Sequence, residues 1–134
     1  MAKYKKKLDA DIRCPLEYGL TIFGGKSGEY PQKLYKALMN SQTVLTVWDD
    51  ARLVGLIRVL DDSEMLAQIH YVLVHPEYQG QGIAGRMVEY IKEKYKNFMY
   101  LELMPEDKNN VPFYEKHGFH FMENGAAMQI CNIN

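Results

Sequence analysis

The segment Val72 Leu73 Val74 His75 Pro76 Glu77 Tyr78 Gln79 Gly80 Gln81 Gly82 Ile83 Ala84 Gly85 constrains this chain more than any other. Its apolar start reads as a strand, and the stripe Ile83, Met87, Val88, Ile91 and Tyr95 has helical spacing. The glycine-dense stretch between them must therefore turn a strand into a helix within a few residues. Glycines at 80, 82 and 85 permit the φ/ψ values of such a turn and remove the Cβ atoms that keep an anion off the backbone. The turn's amide N–H groups and the positive end of the helix dipole then converge, which makes a phosphate site without a lysine. On spacing alone, a tight connection with no ligand is an equal reading.

Two familiar phosphate signatures fail. Gly80, Gly82 and Gly85 satisfy GxGxxG, and Glu102 stands about 20 residues further on, as a dinucleotide fold requires. A chain of 134 residues is too short for the two-half sheet that this fold needs around it. Gly25 Lys26 Ser27 ends like a Walker loop, but the first glycine position falls on Leu20, so this stretch reads as a polar loop.

The remaining elements follow from periodicity. Leu20 to Phe23 is a plausible first strand, and Pro31 starts a helix carrying Leu34, Tyr35, Leu38 and Met39 at helical spacing, ended by Asn40 Ser41. Val44 to Trp48 and Leu53 to Leu60 are rich in strand formers and flank the hairpin turn Asp49 to Arg52. Asp61 to Glu64 turns the chain into the strand Met65 to Val74; the helix then runs from about Gly82 to Lys96. Phe98 to Met104 reads as the next strand, Asn109 to His117 as a short helix, and Phe119 to Met122 with Ala126 to Ile130 as a hairpin about Asn124 Gly125. The order is β α β β β α β α β β, an α/β (α+β) fold in one domain over residues 1–134.

Composition excludes several classes. A 47% hydrophobic content fills one core, and a net charge of −1 predicts no field for nucleic acid or an anionic membrane. The basic run Lys3 to Lys7 reads as a solvated terminus. No apolar run reaches the ~18 residues of a membrane span, and no signal-peptide core is present, so a cytoplasmic protein is expected. Cys14 and Cys131 read as free thiols. His117 and His120 have Gly118 between them and no third ligand, so no metal site is expected.

Gln79 Gly80 Gln81 Gly82 Ile83 Ala84 fits QxxGxA and follows a strand as VxVxPxYQGxG. Thirty residues on stands Phe113 Tyr114 Glu115 Lys116 His117 Gly118 Phe119, and upstream Leu53 Val54 Gly55 Leu56 Ile57 Arg58 reads LVGxxR. In order and separation these three segments resemble the GCN5-related N-acetyltransferase superfamily, over roughly residues 42 to 122. The element order is similar to that superfamily's, with one helix before the second strand where many relatives have two. The resemblance implies a mixed, mostly antiparallel central sheet with helices on both faces.

The resemblance implies an N-acetyltransferase that uses acetyl-CoA as co-substrate. Its diphosphate would lie on the amides of Gln79, Gly80, Gln81, Gly82, Ile83, Ala84 and Gly85, and its pantetheine arm along the backbone of Leu73 and Val74. An N–H near Val74 would hold the carbonyl oxygen. Arg86 would add charge, although relatives often carry the basic residue one position earlier, at Gly85 here. Tyr114 matches the tyrosine that protonates the departing thiolate. Relatives carry asparagine seven residues before that tyrosine, which is Asp107 here, so a contact to the arm falls to Asn109 or Asn110 or is absent.

For the base, His70 is the candidate: it shares a strand face with Gln68 and Val72, and its imidazole titrates near neutral pH. A satisfied polar histidine with a water relay as base is the alternative. Glu64, in a turn, and Tyr71, on the opposite face by parity, are weaker. The acceptor would be a small-molecule or peptide amine near Glu17, Tyr18, Glu29, Tyr30 and Tyr35. Homodimers are frequent among relatives, and nothing specific in the sequence argues for one. An inactive acyl-CoA-binding module needs the glycine loop alone.

Overall fold

A computed structural model describes residues 3–5 and 29–132. The chain divides into two compact units, 1–103 and 104–134. The first holds a five-stranded sheet of order β1-β2-β3-β4-β5: β1 (Lys3–Lys5), β2 (Thr43–Asp49), β3 (Arg52–Asp61), β4 (Leu66–Val74) and β5 (Tyr100–Leu103). β1 to β4 pair antiparallel and β5 joins β4 in parallel, so the mixed, mostly antiparallel α/β sheet is observed.

Helix α1 (Pro31–Met39) opens on its proline and buries Leu34 and Leu38 against Val44, Trp48, Leu53 and Leu56, with Tyr35, Tyr71 and Leu73 partly buried beside them. Helix α2 (Ile83–Lys94) buries Ile83, Met87, Val88 and Ile91 and packs against β3 and β4. Gly55 marks the face it covers. A Cβ there would stand 3.1 Å from Ile83 Cγ2 and 3.2 Å from Val47 Cβ, so only glycine admits the start of α2 this close. At the far end of α2 the Tyr95 hydroxyl donates to Asp61 Oδ2 (2.6 Å) and lies 2.6 Å from Thr43 Oγ1. A carboxylate only accepts, so Thr43 is the donor in the second bond. Burial, reinforced by the Asp61 contact, pushes the Tyr95 pKa up to about 12.

Two expectations change, and one lies outside the described residues. Residues Lys3–Lys5, read as a solvated terminus, pair with β2, Lys3 opposite Trp48, so that a strand with basic residues forms the sheet edge. The strand expected at Leu20 to Phe23 lies outside the described residues, as do Cys14, Glu17 and Tyr18. The terminal hairpin does not form: residues 119–132 contain no strand, although Gly125 N does bond Met122 O at 3.1 Å to close a turn. A turn signal is local, whereas strands need a ladder, and a hairpin unsupported by a sheet is marginal in water. In the second unit, a 3₁₀ turn (Lys108–Asn110) leads directly into α3 (Val111–Lys116), where the sequence predicts one short helix.

Candidate active site

β4 turns into α2 through a 3₁₀ turn, Pro76–Tyr78, and the stretch Gln79 to Gly82. Gly80 and Gly82 have φ of 81° and 80°, the left-handed region, and a Cβ on either would meet no atom within 4 Å. Glycine is therefore required by backbone conformation and leaves open space above the turn. The ladder of α2 begins with Arg86 N to Gly82 O (3.1 Å), so the amides of Ile83, Ala84 and Gly85 precede it. No acidic residue occupies the helix's first turn.

Two carboxylates beside the turn, Glu77 and Asp49, are held by other groups. Glu77 Oε2 accepts from Arg52 Nη1 (3.0 Å), the Asp49 carboxylate accepts from the Tyr78 hydroxyl, and His75 Nδ1 accepts from the Glu77 amide (3.1 Å). These contacts fasten the strand-to-helix turn to the end of the β2–β3 hairpin. Gln79, Gly80, Gln81, Gly82 and Arg86 are exposed, Ala84 and Gly85 half-buried, and Ile83 is anchored in the core.

Beside this cradle, the β4 edge is open among the described residues. The β4–β5 register runs from Leu66↔Tyr100 to Ile69↔Leu103 and stops, which leaves His70 to Val74 beyond the parallel ladder. On the other side His75 N bonds Val54 O (2.8 Å), and Val74 stands opposite Gly55. Backbone groups alternate along an antiparallel strand, so the N–H of Val74 and of Val72 faces the open edge. The groups of Leu73 face β3, so the backbone groups presented at this edge are those of Val72 and Val74 and not those expected of Leu73.

The register also reveals a bulge: Ile69 pairs with Val59 and Tyr71 with Arg58, so His70 is the extra residue between them. Tyr71 and Leu73 then lie on the α1 face and His70 joins them, its ring centroid 4.4 Å from that of Tyr71. The parity argument is thus corrected in part. Gln68 keeps its place on the face of His70, Tyr71 moves onto that face, and Val72 leaves it.

On this face the sequence reading missed Arg58. Its Nε donates to Ser41 Oγ (2.8 Å), its Nη1 lies 2.6 Å from His70 Nδ1, and its guanidinium carbon is 5.8 Å from the Tyr71 ring centre. Ser41 Oγ in turn donates to Ala37 O (2.7 Å) in the last turn of α1. Guanidinium has no acceptor, so Nδ1 accepts and the neutral ring carries its proton on Nε2. Burial lowers the Arg58 pKa, with Tyr71 opposing. The LVGxxR pattern carried this arginine, but only the bulge brings His70 to it.

In the second unit Tyr114 is half-buried, its ring centroid 5.0 Å from that of Phe113 and 5.9 Å from that of Phe119, and burial pushes its hydroxyl pKa up. Asp107, where relatives carry asparagine, caps the 3₁₀ turn by accepting from Asn109 N (2.9 Å). Asn110 is exposed at the start of α3 and its side chain makes no capping bond there. Glu29 and Tyr30 are exposed, while Tyr35 packs in the α1 core. Among the described residues no three His, Cys, Asp or Glu side chains are grouped to hold a metal ion, and no helix is long and apolar enough to cross a membrane.

The profile of the acetyltransferase (GNAT) family matches residues 16–119. An uncharacterised N-acetyltransferase of the lysA 3′ region of Bacillus methanolicus is 34% identical over 117 residues, 87% of this chain and 92% of that protein. A Staphylococcus aureus protein described as a probable acetyltransferase superposes with a TM-score of 0.83 at 28% identity, over 98% of this chain and 99% of its own. A GNAT-family acetyltransferase of Streptococcus pneumoniae gives a TM-score of 0.77 at 24% identity, over 100% and 98% of the two chains.

Proposed function

Because this chain belongs to the acetyltransferase (GNAT) family, we propose that it moves an acetyl group from acetyl-CoA to a primary amine of a small molecule or peptide. We place this activity in the cytoplasm, with residues 1–134 acting as one acyltransferase domain. The observation that carries the reading is the left-handed pair Gly80 and Gly82, open above and followed by amides that precede the α2 ladder. A diphosphate fits such a cradle by geometry and by charge. Gln79, Gln81, Ile83, Ala84 and Gly85 would hold it through the backbone, with Arg86 adding positive charge and Asn110 a polar contact to the arm.

Acetyl-CoA supplies an acetyl thioester, and the chain supplies placement and protons. The open edge at Val72 and Val74 receives the pantetheine arm in the manner of an added strand, and the Val74 N–H is the donor for the oxyanion that develops on the carbonyl. Tyr114 gives its proton to the departing thiolate, and a pKa raised by burial keeps that proton in place at neutral pH. With Arg58 on Nδ1, His70 has no lone pair left to take a proton from the amine. This supports His70 as an orienting group, with water carrying the amine's proton away.

Incubating the protein with acetyl-CoA and a panel of amines, while following free thiol, tests the reading. Thiol release that depends on both substrates is expected. Acetyl-CoA binding without release on any amine would leave an inactive binding module, and absence of binding would remove the proposal.

A further inference from the structure

Resting on that reading, we infer that Arg58 selects the acceptor, and that the acceptor amine carries an anionic oxygen group, a carboxylate or a phosphate. Arg58 is a half-buried guanidinium whose partners among the described residues are all neutral: Ser41 Oγ, His70 Nδ1 and the Tyr71 ring. Buried charges are ordinarily paired, because removing an ion from water is costly without a counter-charge. Arg52, half-exposed at the other end of the same strand, has its carboxylate in Glu77 at 3.0 Å. Arg58 has none among the described residues, yet it is the more buried of the two.

Its placement suits recognition. Ser41 is fixed by Ala37 O in α1 and His70 by the bulge of β4, so two elements hold Nε and Nη1 and set the plane of the guanidinium. Those bonds leave the Nη2 donors for a ligand, and a planar fork held at two points loses little freedom when it takes an oxyanion. Tyr71 and His70 belong to the β4 stretch that begins where β5 stops, the stretch along which the acyl arm would lie. An amine anchored by its anionic end at Arg58 would thus be held beside the thioester. A purely structural role, tying α1 to β4, is the competing account.

Two matched pairs separate these accounts: alanine against alaninamide, and glucosamine 6-phosphate against glucosamine. In wild type the anionic member of at least one pair is expected to show the lower KM, and which pair responds distinguishes carboxylate from phosphate. Arg58→Gln should raise the KM for that anionic amine roughly 10- to 100-fold more than it raises the neutral amine's KM. Calorimetry adds a readout free of turnover: N-acetylalanine or inorganic phosphate should bind wild type and not Arg58→Gln. Equal KM within both pairs, or an equal effect of the substitution on anionic and neutral amines, would overturn the inference. Should Arg58→Gln not fold, Arg58→Lys must show the same selective KM increase, since lysine keeps the charge and loses the fork. If no amine is acetylated while acetylalanine or phosphate binds only with Arg58 present, the activity reading fails and the anion site stands; turnover without anion preference is the reverse.

Discussion

Replacing Gly82 separates the strain of the turn from the space above it. At φ 80° an alanine sits in the left-handed region, at about 1 to 2 kcal/mol, but its Cβ meets no atom within 4 Å, so no clash adds to the strain. The Gly82→Ala protein should be folded, with a Tm lower by about 3 to 8 °C. Acetyl-CoA binding should suffer separately, because the Cβ stands in the space assigned to the diphosphate. Losing one or two charge-assisted amide bonds, at about 1.5 to 3 kcal/mol each, corresponds to at least a tenfold weaker Kd. Asparagine makes the contrast decisive: it tolerates the left-handed region better than alanine, yet it fills more space. Thermal unfolding should rank glycine above asparagine above alanine, whereas calorimetric affinity for acetyl-CoA should rank asparagine no better than alanine. Pantetheine, which lacks the diphosphate, should bind all three alike. An affinity order that follows the stability order, or an equal loss with pantetheine, would refute the cradle.

Gly55→Ala should destabilise the fold by about 1 to 3 kcal/mol, since Val47 Cβ at 3.2 Å belongs to a strand and cannot give way easily; chemical denaturation reads this directly. Tyr114→Phe should lower kcat by about 10²- to 10⁴-fold with the acetyl-CoA Kd unchanged, and full turnover would remove its assignment as the acid. His70→Gln should change kcat by less than about tenfold, whereas a loss of 10² or more would restore the histidine as base. Tyr95 has its pKa raised to about 12, so the folded state favours the neutral phenol. Its contribution is complete below pH ~10 and lost as pH rises toward 12; urea melts of Tyr95→Phe should lack this alkaline decline.

Periodicity and glycine placement made most of the first unit legible. Pro31 starts α1, Val44 to Trp48 falls within β2, and the stripe from Ile83 to Ile91 gives the buried face of α2. These signals are readable because one residue's environment repeats along the element. LVGxxR was legible as a pattern before its physical content was: Gly55 admits α2, and Arg58, three residues on, faces α1. The hairpin after Phe119 was misread because Asn124 Gly125 reports only a local turn. Nothing in such a dipeptide says whether a ladder will receive the strands.

The bulge at His70 shows why the candidate site was harder to read than the sheet that carries it. Parity along a strand is a two-residue rule, and one unpaired residue inverts it for everything downstream. No residue type in Gln68 Ile69 His70 Tyr71 announces that insertion. It follows from register, because Val59 must meet Ile69 while Arg58 meets Tyr71. That single offset puts Tyr71 beside His70 and brings the imidazole Nδ1 to the Arg58 guanidinium. The same strand leaves its partner just before the bulge, at Ile69↔Leu103, so the open backbone edge and the rearranged side-chain face begin at one point. Deleting His70, which removes the extra residue, should therefore change the acceptor face while Val72 and Val74 keep their register with β3, an outcome that no change confined to the glycine turn would give.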